Sequence, residues 1–208
     1  MTDDHQARTR LPDELRPSNR RIEAFSDGVF AIALTIMVLE IRIPDSLAFT
    51  TDRSALVQFV PELATYALSF VVVTLFWASH HYLIYTLPKA DWRTIWLNNH
   101  TLFWITLIPI VARFFGQHPM APRAAASWAF VIMMCTVALS LLRLYSERTS
   151  EDISHKALHR RVYRRSVPAI AGYAIAIPLA FINIKLAWAC LVALPLLFVV
   201  PVTRQSAS

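Results

Sequence analysis

The chain has 208 residues, 56% of them apolar and only 16% charged, with 20 Lys and Arg against 14 Asp and Glu. Soluble domains carry about 25% charged residues, so this composition, with a mean hydropathy of +0.45, excludes an ordinary soluble domain and predicts a membrane protein. The basic excess does not point to a nucleic-acid partner, because the Lys and Arg residues punctuate long apolar runs, the pattern of membrane topology.

Residues 1–20 mix acids, bases and two prolines without an apolar segment, which predicts a cytoplasmic tail and not a signal peptide. A first span is expected at 22–43, ended by Pro44 and Asp45. With a rise of about 1.5 Å per residue, it can cross a hydrocarbon core of about 30 Å. Residues 45–56 read as a polar loop. The second span, at 60–87, has Pro61 expected in its first turn, where a missing N–H costs nothing. The third, at 95–115, contains Pro109. A turn over 116–123 with Gly116, Pro119 and Pro122 leads to a fourth span at 124–144 and then a strongly basic stretch at 145–166, read as a loop with a short amphipathic helix as the alternative. The last apolar region, 167–202, is interrupted only at Asn183 and Lys185. It is too long for one crossing and just long enough for two short ones. The expectation is an all-α integral membrane protein of six spans in one domain, 21–202, with a tail at 203–208; five spans is the alternative.

Charge supports the even number. With six spans, fifteen of the 20 Lys and Arg residues fall on one side. The positive-inside rule then puts both termini in the cytoplasm.

The first span organises the chain, because it carries a carboxylate inside an apolar helix. At about 100° per residue, Gly28, Val29, Thr35, Ile36 and Leu39 lie within about 60° of Ile32, whereas Ser26 and Asp27 lie at least about 120° away. The stripe and the carboxylate therefore serve different surfaces. From periodicity alone the stripe reads first as ordinary helix packing, with a pore or lipid face as the alternative. An intramembrane carboxylate marks a functional site by default, although a buried network that sets helix packing accounts for Ser26 and Asp27 as well. By span order, the end of the second span and the start of the third lie at the depth of Asp27. This makes Arg20, Arg21, His80, His81, Asn98 and Asn99 its candidate partners.

His80, His81 and His100 lack the i, i+4 spacing of a helical zinc site, so no metal is expected. Cys135 and Cys190 lie in apolar runs without metal or redox spacing. No nucleophile triad or phosphate loop appears, and Gly172-Tyr173 alone is not a carbonyl filter, so an enzyme reading has no motif and no cofactor is expected. Glu40 and Arg42 read as interfacial groups at the outer end of the first span.

The run Arg21-x-x-x-Phe25-Ser26-Asp27, opening the first span, resembles the signature of the lysosomal potassium channel family called transmembrane protein 175 and its bacterial homologues. The resemblance implies a homotetramer in the bacterial inner membrane, permeable to potassium ions, with the first helix of each subunit lining a central pore. It implies a hydrophobic constriction at Ile32, further pore positions at Ile36 and Leu39, and Thr35 as the residue tied to potassium preference. It also implies that Arg21, Phe25, Ser26 and Asp27 hold helices together away from the pore, with His80, His81, Asn98 and Asn99 as weaker additions. The expected function is a potassium-permeable channel of modest selectivity. A proton-permeable channel relaying through Asp27, His80 and His81, and a non-conducting membrane scaffold, are the alternatives.

Overall fold

A computed structural model describes residues 18–41, 53–87, 90–150 and 153–199. The expected tails, apart from 18–20, the loop over 42–52 and the end of the last apolar run lie outside the described residues. All regular structure within them is helical: α1 (Asn19–Leu39), α2 (Arg53–Tyr85), α3 (Trp92–Thr106), α4 (Ile108–Gln117), α5 (Pro122–Thr149), α6 (Ile153–Ile182) and α7 (Ile184–Val199).

Among the described residues, five stretches are long and apolar enough to cross a membrane. They are Asn19–Leu39, Phe59–Tyr85, Trp92–Gln117, Pro122–Thr149 and Val162–Ile182. The expected sixth span is present as α7, whose 16 described residues cover about 24 Å of a core of about 30 Å, the end of the last apolar run lying outside the described residues. The predicted hairpin turns at Asn183, whose side-chain oxygen accepts from the backbone N–H groups of Lys185 and Leu186 at 3.1 and 3.2 Å and so caps α7.

Several boundaries differ from expectation. α2 starts at Arg53, so Pro61 lies inside the helix, not in its first turn. The third span is two helices joined at Leu107. Pro109 has no N–H to donate to the carbonyl of Ile105, and the ladder restarts around it. Gly116 belongs to the last turn of α4, not to a loop. A Cβ there would lie 3.3 Å from the Glu62 Cα, so its small size serves close approach to α2. Over 145–166 the structure takes the helical alternative and not the loop: α5 runs on to Thr149 and α6 starts at Ile153. Arg160 and Glu147 pair across that turn at 3.1 Å. Charged residues end a membrane span, but they do not end a helix whose backbone ladder continues into water.

Side-chain ties order the two ends of the bundle. At one end, Asn19 bridges the α2–α3 turn, donating to the Leu87 carbonyl and accepting from Ala90 N–H, both at 3.0 Å. Tyr145 of α5 donates to Asp91 at the same end. At the other end, Arg113 of α4 pairs with Glu40 at 2.7 Å, and Trp188 of α7 donates to the Pro119 carbonyl at 2.8 Å. α1, α2, the α3–α4 pair and α5 thus alternate in direction.

α5 is the central helix. Of its most apolar window 61% is buried, against 28% for α1. Trp128 is fully buried and donates to Ser69 at 3.0 Å. Phe115 stacks on Trp188 with ring centroids 4.4 Å apart. In lipid, helices associate through close van der Waals packing, so small residues line the contacts. Ala169, Tyr173, Ala176 and Ala180 form the buried stripe of α6 at helical spacing. A Cβ on Gly172 would fall 2.5 Å from Leu194 Cδ2, so the Leu194 side chain of α7 occupies the space a larger residue would need there.

Candidate functional site

α1 divides cleanly into two faces. Ile22, Ser26, Phe30, Ala33 and Met37 are buried, at spacings of three and four. The opposite face is bare: Phe25 is 60% exposed, Ile32 58%, Ile36 40% and Leu39 80%, with Arg21, Gly28 and Thr35 also exposed. The predicted stripe is therefore continuous and uncovered within one chain, except that Val29 is partly buried. The Thr35 hydroxyl donates back to the carbonyls of Ala31 and Ile32, both at 3.0 Å. Its proton is spent inside the helix, and its lone pairs face outward. A Cβ on Gly28 would meet nothing within 4 Å, so packing inside the chain does not require glycine there.

The buried face carries a directed chain of hydrogen bonds across three helices. His80 Nε2 of α2 lies 2.7 Å from Asn98 Oδ1 of α3. The Asn98 amide donates to Ser26 Oγ of α1 at 3.1 Å. Ser26 in turn donates to the Ile22 carbonyl at 2.7 Å. Each acceptor is satisfied when His80 carries its proton on Nε2, so the amide orientation and the tautomer support each other. All three side chains are buried, where an unpaired polar group is expensive. The His80 ring also packs on Phe30, with centroids 5.4 Å apart.

Asp27 takes a different partner from those expected. Its Oδ1 accepts from Trp77 Nε1 at 2.9 Å. His81 lies one turn beyond Trp77, stacks on it at 5.8 Å, and places Nδ1 3.2 Å from Glu23 Oε1. The structure thus unites Ser26, His80 and Asn98, and sets Asp27 and His81 in an adjacent group with Trp77 and Glu23. Arg21, Phe25 and Asn99 stand exposed outside both groups. His100 accepts from Trp104 Nε1 at 3.0 Å and joins neither.

Sequence reasoning missed Glu23, Trp77 and Arg143. Two spacings held the first pair: Glu23 with Asp27 and Trp77 with His81 are both i, i+4, so each pair shares a helix face. Arg143, at the end of the expected fourth span, is buried inside α5 and donates to the Ser79 carbonyl at 3.4 Å, one residue before His80.

Outside the spans, Asp91 caps α3. Its Oδ1 accepts from the Thr94 N–H at 2.8 Å, and the Thr94 hydroxyl accepts from the Asp91 N–H in return. Burial pushes the Asp91 carboxyl up, but hydrogen bonds from Tyr145 and Thr94 and the nearby Arg93 outweigh it and hold the carboxyl below its ordinary range.

Comparison with known proteins places this geometry. The family model described as the endosomal/lysosomal potassium channel TMEM175 matches residues 21–109, which include α1 from Arg21 onward and the His80–Asn98–Ser26 chain. The chain is 36% identical to the Potassium channel HX13_20290 of a Chryseobacterium strain, over 59% of this chain and 62% of that protein. It is 30% identical to the Potassium channel Cha6605_3372 of Chamaesiphon minutus, over 80% of this chain and 86% of that one. It is 35% identical to the zebrafish Endosomal/lysosomal proton channel TMEM175, over 68% of this chain but only 29% of that protein. The fold is similar to the crystal structure of a lysosomal potassium-selective channel TMEM175 homologue from Chamaesiphon minutus. That match has a TM-score of 0.77 and 25% identity, and it covers 87% of this chain and 96% of that one. With a bacterial relative matched over most of both lengths, the chain belongs to the TMEM175 family.

Proposed function

We propose that the chain is the subunit of a homotetrameric, potassium-permeable cation channel with four copies of α1 around a central pore. The observation that carries this reading is the bare stripe of α1. A helix whose other face is packed leaves Ile32, Ile36 and Leu39 exposed in one line, and four-fold assembly covers that line. The bacterial relatives named as potassium channels support the choice of ion.

In this reading Ile32 forms the constriction. A ring of aliphatic side chains closes a pore by excluding water, because it offers an ion nothing in exchange for its hydration shell. Opening must widen or wet that ring. Thr35 lies about one turn further along, and its outward lone pairs are the polar atoms nearest the constriction on this face. Four such hydroxyls replace part of a hydration shell. That favours potassium, which sheds water more readily than sodium, and it yields a modest preference rather than a strict one. The His80–Asn98–Ser26 chain lies on the opposite face of α1 and sets the angle at which the helix meets α2 and α3. The charge asymmetry of the sequence supports an inner-membrane orientation with both termini cytoplasmic.

A second reading, proton permeation, is favoured by the name of the zebrafish relative. Its relay groups here are Asp27, His80 and His81.

Flux from purified protein in liposomes tests both. The expected result is flux down a potassium gradient, weaker with sodium, and larger in Ile32→Asn, whose polar side chain wets the constriction. Flux driven only by a pH gradient, and abolished in His81→Ala, establishes the proton reading instead. No flux under any gradient from folded tetramer leaves a non-conducting scaffold.

A further inference from the structure

We propose that Glu23, Asp27 and His81 form a binding site for one transition-metal dication of the zinc class, held between α1 and α2. The three residues each offer one ligand atom, and these atoms all lie within 4.8 Å of one another. Two of them, His81 Nδ1 and Glu23 Oε1, are already 3.2 Å apart. Around a tetrahedral zinc, with bonds of about 2.0–2.2 Å, neighbouring ligand atoms sit about 3.4 Å from each other. One edge of that tetrahedron therefore exists as it stands. The remaining separations, all within 4.8 Å, are left for rotation of the carboxylate side chains to close.

The framework around these atoms is rigid in the right places. Glu23 and Asp27 are i, i+4 on α1; Trp77 and His81 are i, i+4 on the facing side of α2. The Trp77 N–H holds Asp27 through Oδ1 and leaves the other carboxylate oxygen available. The Trp77 ring stacks on the His81 imidazole with planes 28° apart and fixes its orientation. A hydrogen-bond donor that orients a ligating carboxylate is the usual outer support of a metal site.

The donor set also selects the ion. Two carboxylates balance a double positive charge. One imidazole among three ligands suits zinc and its neighbours, whereas calcium and magnesium prefer oxygen alone. Three protein ligands leave the fourth position to water. The ion would bind α1 directly to α2, on the helix that carries Ile32 five residues on. Nothing in this assignment depends on conduction, so it stands or falls apart from the channel reading.

Titration of the purified full-length protein in detergent with zinc chloride, by calorimetry and in the presence of millimolar magnesium, tests it. The expected result is one zinc per chain, with affinity at least tenfold lower in both Glu23→Gln and His81→Gln. Both variants keep a polar group in place, and gel filtration and circular dichroism check that they fold. X-ray absorption on the loaded protein should show one nitrogen among oxygen neighbours. Asp27→Asn, which retains an acceptor for Trp77, should weaken binding as well. Unchanged affinity in either Glu23→Gln or His81→Gln overturns the site, as does absence of binding at millimolar zinc, which would leave His81 and Glu23 an ion pair only.

Discussion

Asn98 accepts from one buried neighbour and donates to another, and this makes it the most exposed point of the buried network to substitution. Replacing it with Leu strands the His80 N–H and removes the donor to Ser26, both in a dry site. An unsatisfied buried polar group costs about 1–3 kcal/mol, so Asn98→Leu should lower the thermal midpoint markedly. Ser26→Ala leaves the His80–Asn98 bond in place and strands only one Asn98 amide N–H, so it should cost less, nearer the low end at about 1 kcal/mol. Equal midpoints for the two variants in a detergent melting series would contradict the directed order of the bonds. Asp91 gives a pH test. Its carboxyl is held below the ordinary value, so its contribution is fully present above that value and is lost as pH falls through the depressed one. Tyr145→Phe removes the largest of the lowering contacts and should move that loss to higher pH, towards the ordinary carboxylate value near 3.8. Melting curves of the two proteins between neutral and acid pH should separate on the acid side if Tyr145 acts through Asp91. Ser26, His80 and Asn98 were legible beforehand because span order puts them at one depth. Trp77 was not, because a tryptophan near a span end reads equally as an interfacial anchor.

The helices show where periodicity is a sufficient guide and where it is not. The two faces of α1 follow from residue spacing alone, since a 3.6-residue repeat separates Ile32 from Ser26 whatever surrounds them. The break at Leu107 needed the proline to be weighed against the tendency of a long helix to continue. The α6–α7 hairpin includes a close atom-level fit that periodicity does not reveal, Gly172 against Leu194. Gly172→Val should force the helices apart and destabilise the protein by about 1–3 kcal/mol, as overpacking does. Adding Leu194→Ala makes room and should recover a large part of the loss. Additive effects of the two substitutions in the same melting assay would mean that the pair does not share this contact.

Assembly decides the role of the exposed stripe. If four copies of α1 meet on that face, cysteine at Leu39 should form disulfide-linked dimers under mild oxidation in membranes. This assumes a background with Cys135 and Cys190 replaced. Met37→Cys, on the buried face, should stay monomeric under the same conditions. Monomers from both would remove the stripe from any interface. Gly28→Ala separates the subunit from the assembly. The added Cβ meets nothing within the chain, and Ala favours the helix by about 1 kcal/mol. Any loss of tetramer on gel filtration would therefore report contact with another copy.

Composition, span order, charge asymmetry and the stripe on α1 were all determined by the sequence itself. Each depends on solvent preference or helical period, which act residue by residue along a chain. The tertiary structure decided what depends on distance between elements. It paired Asp27 with Trp77, set His81 against Glu23, and buried Arg143 against the Ser79 carbonyl. The physical reason is common to all three. A side chain's partner is set by how deeply two helices sit against each other and by their rotation about their axes. Close packing fixes both over many residues at once, and no single segment carries that information.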